Sequence, residues 1–254
     1  MNTDLTEIVT AGMIVIGDEI LSGRTRDSNA YHLASMMTAI GVDLREVRMI
    51  ADDHDVIVET INAMRAQYTY VFTSGGIGPT HDDITADAVG AAFGLPVEED
   101  EKALAVMAAH YEARNQPFTA ARRRMARLPE GAGIIDNPIS KAPGFVVANV
   151  HVMAGVPAIF QAMLDNVIPT LRTGRKLVSK SVHCPFGEGT ISAPLASIQD
   201  AHPDVVIGSY PAFEEGAFWT EIIVRASDEA ALDKATEAVA KMVEALKSET
   251  KVAL

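Results

Sequence analysis

Cysteine is almost absent: Cys184 stands alone in 254 residues, which excludes an intramolecular disulfide and a thiolate zinc cluster. That scarcity agrees with a reducing compartment, and a cytoplasmic protein is expected. Basic residues are also in short supply, with 21 Lys and Arg against 34 Asp and Glu and a formal net charge of -13. An acidic surface repels phosphate backbones and anionic headgroups, so nucleic acid and membrane are not expected as partners and a small molecule is. No apolar run approaches the ~20 residues that span a bilayer. The first ten residues, which include Asp4 and Glu7, lack the basic and apolar regions of a secretory signal. Aromatic residues make up only 6% of a chain that is 48% hydrophobic, so its core must be built mainly from aliphatic side chains, as where helices cover a buried sheet.

What is present is an alternation of strand and helix signals. Thr10 to Gly17 is an apolar run ending in glycine, the pattern of a buried parallel strand, and Asp18 and Glu19 follow at its carboxyl end. Asp27 to Gly41 carries apolar residues at helical spacing. Val42 to Ile50 reads as a strand, Asp55 to Met64 as a helix and Tyr68 to Thr73 as a third strand. This βαβαβ order predicts right-handed crossovers, a mainly parallel sheet and a ligand beyond the carboxyl ends of the strands. Helices are expected over Thr85 to Gly94, Glu101 to Asn115 and Thr119 to Ala126, one late strand over Phe145 to Met153, and a helix over Val156 to Leu171. After Thr173-Gly174-Arg175-Lys176 a second module reads βαββα. Two domains follow, residues 1-174 and 175-254.

The third strand runs into Thr73-Ser74-Gly75-Gly76-Ile77-Gly78-Pro79-Thr80. Glycines tolerate positive φ and let backbone amides approach a ligand, so the turn is a candidate nest for a phosphate; an ordinary tight turn is the alternative. His81, Asp82 and Asp83 come next. Either aspartate has the chemistry to cap the following helix. Two carboxylates beside a phosphate nest also suit a hard divalent cation, which takes oxygens from one or two carboxylates and from substrate phosphates. Asp18 and Glu19 supply a second acidic pair on a neighbouring loop, Asp18 being the stronger candidate. Cation ligands are therefore sought in Asp18, Asp82 and Asp83, catalytic groups in Asp18, Asp82 and His81. The run Arg122, Arg123, Arg124 and Arg127 reads first as a solvated helix face.

Ile16-Gly-Asp-Glu-Ile-Leu-Ser-Gly23 with Asp27 and Asn29, and Thr73 to Thr80 with Asp82-Asp83-Ile84-Thr85, resemble the MoaB/Mog molybdopterin-binding domain family, in particular its CinA (competence/damage-inducible protein) branch. Ala142-Pro-Gly-Phe145 and Gly155-Val-Pro157 fall where that family has its late glycine-proline loops, so the resemblance spans about residues 8 to 172. Ser140 and Ala154 depart from it, standing where glycine and proline are usual. The resemblance implies a three-layer α/β/α fold followed by a small KH-like α+β domain. It implies a ligand site formed by Thr73, Ser74, Gly75, Gly76, Gly78, Thr80, Asn29, Arg124 and Gly155. It further implies cleavage of the pyrophosphate of ADP-ribose or a related dinucleotide, with Mg²⁺, Mn²⁺ or Co²⁺ and with potassium as a second cation, by a homo-oligomer. Larger CinA chains carry a deamidase domain, which is not expected here. Molybdopterin binding or adenylyl transfer is the second reading, and nucleotide binding without catalysis the third.

Overall fold

The computed structural model describes residues 8–214 and 217–252, and the chain forms two compact units, residues 1–174 and 175–254. The first unit opens with β1 (Val9–Ile16), α1 (Asp18–Leu21), α2 (Asn29–Ile40), β2 (Val42–Ile50), α3 (His54–Gln67) and β3 (Tyr70–Ser74). There follow α4 (Thr85–Phe93), β4 (Val97–Glu99), α5 (Glu101–Glu112), α6 (Ala120–Arg124), β5 (Arg127–Pro129) and β6 (Gly133–Ile135). The unit closes with β7 (Gly144–Val147), β8 (Val150–Met153) and α7 (Pro157–Val167).

The main sheet has the order β2-β1-β3-β8-β7-β6. β1 pairs in parallel with β2 and β3, and β3 with β8, while β7 is antiparallel to both of its neighbours. Side chains alternate across a strand, and β1 has apolar ones on both sides because both faces are covered. Ala11, Met13 and Val15 join the core made with Leu33 and Met37 of α2 and Phe160 of α7. Ile14 and Ile16 join the opposite core with Ile57 and Ile61 of α3 and Val89 of α4. The result is the expected α/β/α layering around a mainly parallel sheet.

The chain leaves β1 toward β2 on one side, then crosses back to β3 on the other. The carboxyl ends of β1 and β3 therefore flank a topological switch point, where open α/β sheets leave a crevice.

Local structure departs from the sequence reading in identifiable places. Asp18 and Glu19 lie in the short helix α1 and not in a loop. The expected strand over residues 145 to 153 is a hairpin, β7 and β8, folded at Ala148 and Asn149. Ala148 has φ +50°, a value that an L residue without glycine's freedom seldom takes, and the sequence carries no glycine or proline there to signal it. The three-residue strands β4, β5 and β6 were also below what periodicity resolves. The arginine helix is five residues long, and the last helix stops at Val167 before a 3-10 turn, Ile168–Thr170.

The second unit contains β9 (Val178–Cys184), α8 (Glu188–Ala201), β10 (Val206–Glu214), β11 (Ala217–Ala226) and α9 (Glu229–Val252). Its antiparallel sheet, ordered β10-β11-β9, has its own core, in which Cys184, Ile222 and Val224 meet Ile191 of α8 and Leu232 and Val239 of α9. Among the described residues no helix is long and apolar enough to cross a membrane.

Candidate functional site

The glycine turn sits at the switch point because β3 ends there and its neighbours grip it. The Gly75 amide donates to the Met153 carbonyl at 3.1 Å, and the Thr85 amide and hydroxyl donate to the Gly76 and Gly75 carbonyls at 3.0 and 3.1 Å. Gly75 and Gly76 have φ of +112° and +69°. A Cβ on Gly75 would lie 2.1 Å from the Ile16 carbonyl oxygen, and one on Gly76 would lie 2.0 Å from Thr85 Oγ1. Both positions thus need glycine for conformation and for space.

Asp83 fixes the far side of the turn. Its Oδ1 accepts from the Gly78 amide at 2.6 Å, and its Oδ2 accepts from the Thr80 amide at 2.8 Å and the Thr80 hydroxyl at 2.6 Å. Neither Asp82 nor Asp83 caps α4, whose N-cap position is Ile84 without a side-chain bond. Asp83 is a clamp inside the loop. With Gly75, Gly78 and Thr80 amides occupied, the Gly76 and Ile77 amides are the ones with no acceptor among the described residues. Arg124 reaches this loop as well, donating from Nη2 to the Asp83 carbonyl at 3.3 Å, with Asp87 Oδ2 4.0 Å away. Asp87 is held in turn by a two-pronged bond from Arg127, at 2.9 and 2.7 Å. Between Arg124, Phe145 and the loop lies a slot of about 20 Å³, room for roughly one water.

Asn29, Ser74 and Gly155 form the layer beneath. Asn29 Nδ2 donates to Ser74 Oγ at 2.7 Å and to the Gly155 carbonyl at 2.8 Å. The carbonyl only accepts, which settles the orientation of the amide. All of Asn29, Thr73 and Ser74 are buried, and the Thr73 hydroxyl and Asn29 Oδ1 have no hydrogen-bond partner among the described residues. Gly155 packs on Gly75, a Cβ there lying 3.3 Å from Gly75 Cα. Asp27 holds the start of α2 by accepting from the Asn29 and Ala30 amides at 3.2 and 3.1 Å.

The acids gather on the other side. Asp52, just beyond β2, accepts from the Asp18 amide at 2.9 Å. Burial pushes the Asp52 carboxyl up; the bond from Asp18 opposes this, while the charges of Asp18, Glu19 and Asp82 add to it. Asp18, Glu19, Asp52 and Asp82 therefore share one neighbourhood at the ends of β1, β2 and β3. Asp82 itself is fully exposed, and the Thr80 hydroxyl, its own amide and His81 hold its carboxyl below the ordinary range. The Thr80 hydroxyl has one proton and gives it to Asp83 at 2.6 Å, which leaves the Asp82 amide and His81 to act on Asp82. His81 is exposed, with Nδ1 3.8 Å from Asp82 Oδ1. Among the described residues no three His, Cys, Asp or Glu side chains are grouped as a metal site. With Asp83 occupied by the loop, Asp82 carries the exposed carboxylate of the turn segment, and Asp18 lies in the same acidic neighbourhood.

Sequence reading passed over Asp52 and Asn137. The first was signalled by an acidic pair, Asp52-Asp53, directly after a strand; Asp53 caps α3. Asn137 is buried and shapes the loop holding the unusual Ser140, donating to Ser140 Oγ at 2.6 Å and to the Ala142 carbonyl at 2.8 Å. Its Oδ1 accepts from the Ile139 and Ser140 amides. The run of arginines divides: Arg123 pairs with Glu99, and Arg122 lies 4.2 Å over the Tyr111 ring.

Comparison with known proteins gives two family matches, the probable molybdopterin binding domain over residues 12–173 and the FAD synthase middle domain over residues 176–251. A protein of Pyrobaculum arsenaticum is 33% identical over 251 residues, covering 94% of this chain and 95% of its own. One from Archaeoglobus fulgidus is 32% identical over 201 residues, covering 78% and 84%. Among solved structures, that of the protein CinA of Thermoplasma acidophilum, described as of unknown function, superposes with a TM-score of 0.59 at 32% identity. That superposition covers 64% of this chain and 98% of the other.

Proposed function

This chain belongs to the family of the probable molybdopterin binding domain, and from that premise we propose that its first unit binds a phosphate-bearing nucleotide or pterin and cleaves the pyrophosphate of an ADP-ribose-like dinucleotide. The observation that carries the reading is the Asp83-clamped glycine turn with the Gly76 and Ile77 amides open, beside the acids Asp18 and Asp82. Open amides at a turn leading into a helix are anion donors. The turn orients one phosphate, Arg124 keeps the clamp in register, and Asn29 fastens β3 to the Gly155 loop below. A hard divalent cation, Mg²⁺, Mn²⁺ or Co²⁺, would be held by Asp18 and Asp82 together with the ligand's own phosphate oxygens. When bound it would polarise the P–O bond and lower the pKa of a water. His81 is assigned to proton transfer and potassium to a supporting role. Flavin-like dinucleotides stand beside ADP-ribose-like ones as candidate substrates, and the match of the second unit to the FAD synthase middle domain supports testing them.

The purified protein is expected to release mononucleotides from ADP-ribose or a flavin dinucleotide with one of those cations and K⁺ present. Asp82→Asn is expected to lower that rate by about 100-fold or more. No product across the panel, or full activity in Asp82→Asn, sinks the cleavage reading. The family description favours a second reading, molybdopterin binding or adenylyl transfer, which pterin fluorescence copurifying with the protein would select.

A further inference from the structure

Eleven of the thirteen arginines in the sequence have a side-chain partner or another recorded interaction. Arg24 and Arg26 have none among the described residues, and both are exposed. In a chain of net charge -13, these two cations, on either side of Thr25, are left without a carboxylate partner among the described residues although Asp18 and Glu19 lie a few residues away.

Their loop is not loose. The Thr25 amide, between the two arginines, donates to the Glu19 carbonyl at 2.9 Å. Asp27, next in line, accepts from the first amides of α2 at 3.2 and 3.1 Å. Asn29 is bonded to Ser74, the last residue of β3, and to the Gly155 loop. Arg26 lies three positions before Asn29, so their Cα atoms are at most about 11 Å apart. The loop that carries both arginines is thus anchored to α1 at the carboxyl end of β1 and, through Asn29, to the end of β3 where the glycine turn begins. Held backbone with unengaged guanidinium groups is preorganised for an anion, since the entropy of ordering the loop is already met.

We infer that Arg24 and Arg26 form a second anion subsite, which takes the second phosphate of a diphosphate-bearing ligand whose first phosphate lies on the glycine turn. This rests on the proposed use of that turn and adds a preference it does not supply: a nest reads one phosphate, whereas two forked guanidinium groups distinguish a diphosphate from a monophosphate.

The test is calorimetric titration of the full-length protein with AMP and with ADP at fixed ionic strength, without a divalent cation. The native protein is expected to bind ADP about tenfold or more tighter than AMP, as two charge-assisted contacts allow. In the double variant Arg24→Gln, Arg26→Gln that preference should vanish while AMP affinity stays within about threefold. Neither side chain makes a hydrogen bond or ion pair among the described residues and both are exposed, so the variant is expected to keep the native melting temperature. Retention of the ADP preference by the variant, or no such preference in the native protein, overturns the subsite. Gly76→Ala separates the two ideas: it should abolish AMP binding in either arginine background. If AMP does not bind, or Gly76→Ala still binds it, the reading of the glycine turn falls and the subsite falls with it.

Discussion

Asp83 accepts three hydrogen bonds from two residues of the turn it faces, and that number sets what its removal should do. An ionised acceptor strengthens each bond, yet Asp83 is only half-buried, so water recovers part of the loss. Asp83→Ala is expected to cost about 2 kcal/mol in urea unfolding and to weaken nucleotide binding by roughly tenfold, because the turn keeps its sequence and loses its shape. Asp83→Asn should fall between the two: one oxygen still accepts from Gly78, while the new amide group meets the Thr80 amide donor to donor. A variant with native stability and affinity would show that the glycines alone hold the turn. At this scale the sequence made the location of the turn legible, since three glycines after an apolar strand have few other uses. It did not reveal the division of labour between Asp82 and Asp83. Adjacent acids have equal claims in one dimension, and only the direction of the chain after Gly78 makes one face inward and leaves the other exposed. Asp52 was missed for a related reason, as the groups around it, Asp18, Glu19 and Asp82, come from distant parts of the sequence.

Elements were legible where one periodic pattern filled one element. β1, α3 and α4 each carry an uninterrupted apolar pattern, and the alternation of β1 between two cores is what a strand covered on both faces requires. The β7–β8 hairpin was not, because Phe145 to Met153 alternates straight through the bend. The turn there is enforced from outside: Asn149 Nδ2 donates to the Arg65 and Tyr68 carbonyls at 3.0 and 2.9 Å, and its own carbonyl accepts from Val71. Tertiary bonds thus hold Ala148 at φ +50°, where a Cβ is disfavoured by roughly 1–2 kcal/mol. Ala148→Gly should relieve that strain, offset in part by the greater freedom of glycine in the unfolded chain. The expected net gain is about 0.5 kcal/mol, read as a higher urea midpoint with an unchanged slope. A loss of stability instead would mean that the Ala148 methyl packs favourably enough to outweigh its backbone.

The whole molecule has two sets of cores that share no residue. One set lies on the two faces of the six-stranded sheet with a satellite around Met107 and Ala126, and the other lies between the three-stranded sheet, α8 and α9. Every residue assigned to the ligand, from Asp18 to Gly155, belongs to the first unit, and each hydrogen bond that shapes the turn begins and ends within it. A unit of that size buries about 70% of the surface of its unfolded chain, enough for independent stability. Residues 1–174 made alone are therefore expected to unfold in a single cooperative transition and to bind ADP with a dissociation constant within about threefold of the full chain, a factor worth less than 1 kcal/mol. Calorimetry and titration of that fragment check both. If it folds and binds at full strength, the second unit contributes to something other than ligand capture. A fragment that folds and binds far more weakly overturns the expectation that the first unit alone suffices for binding.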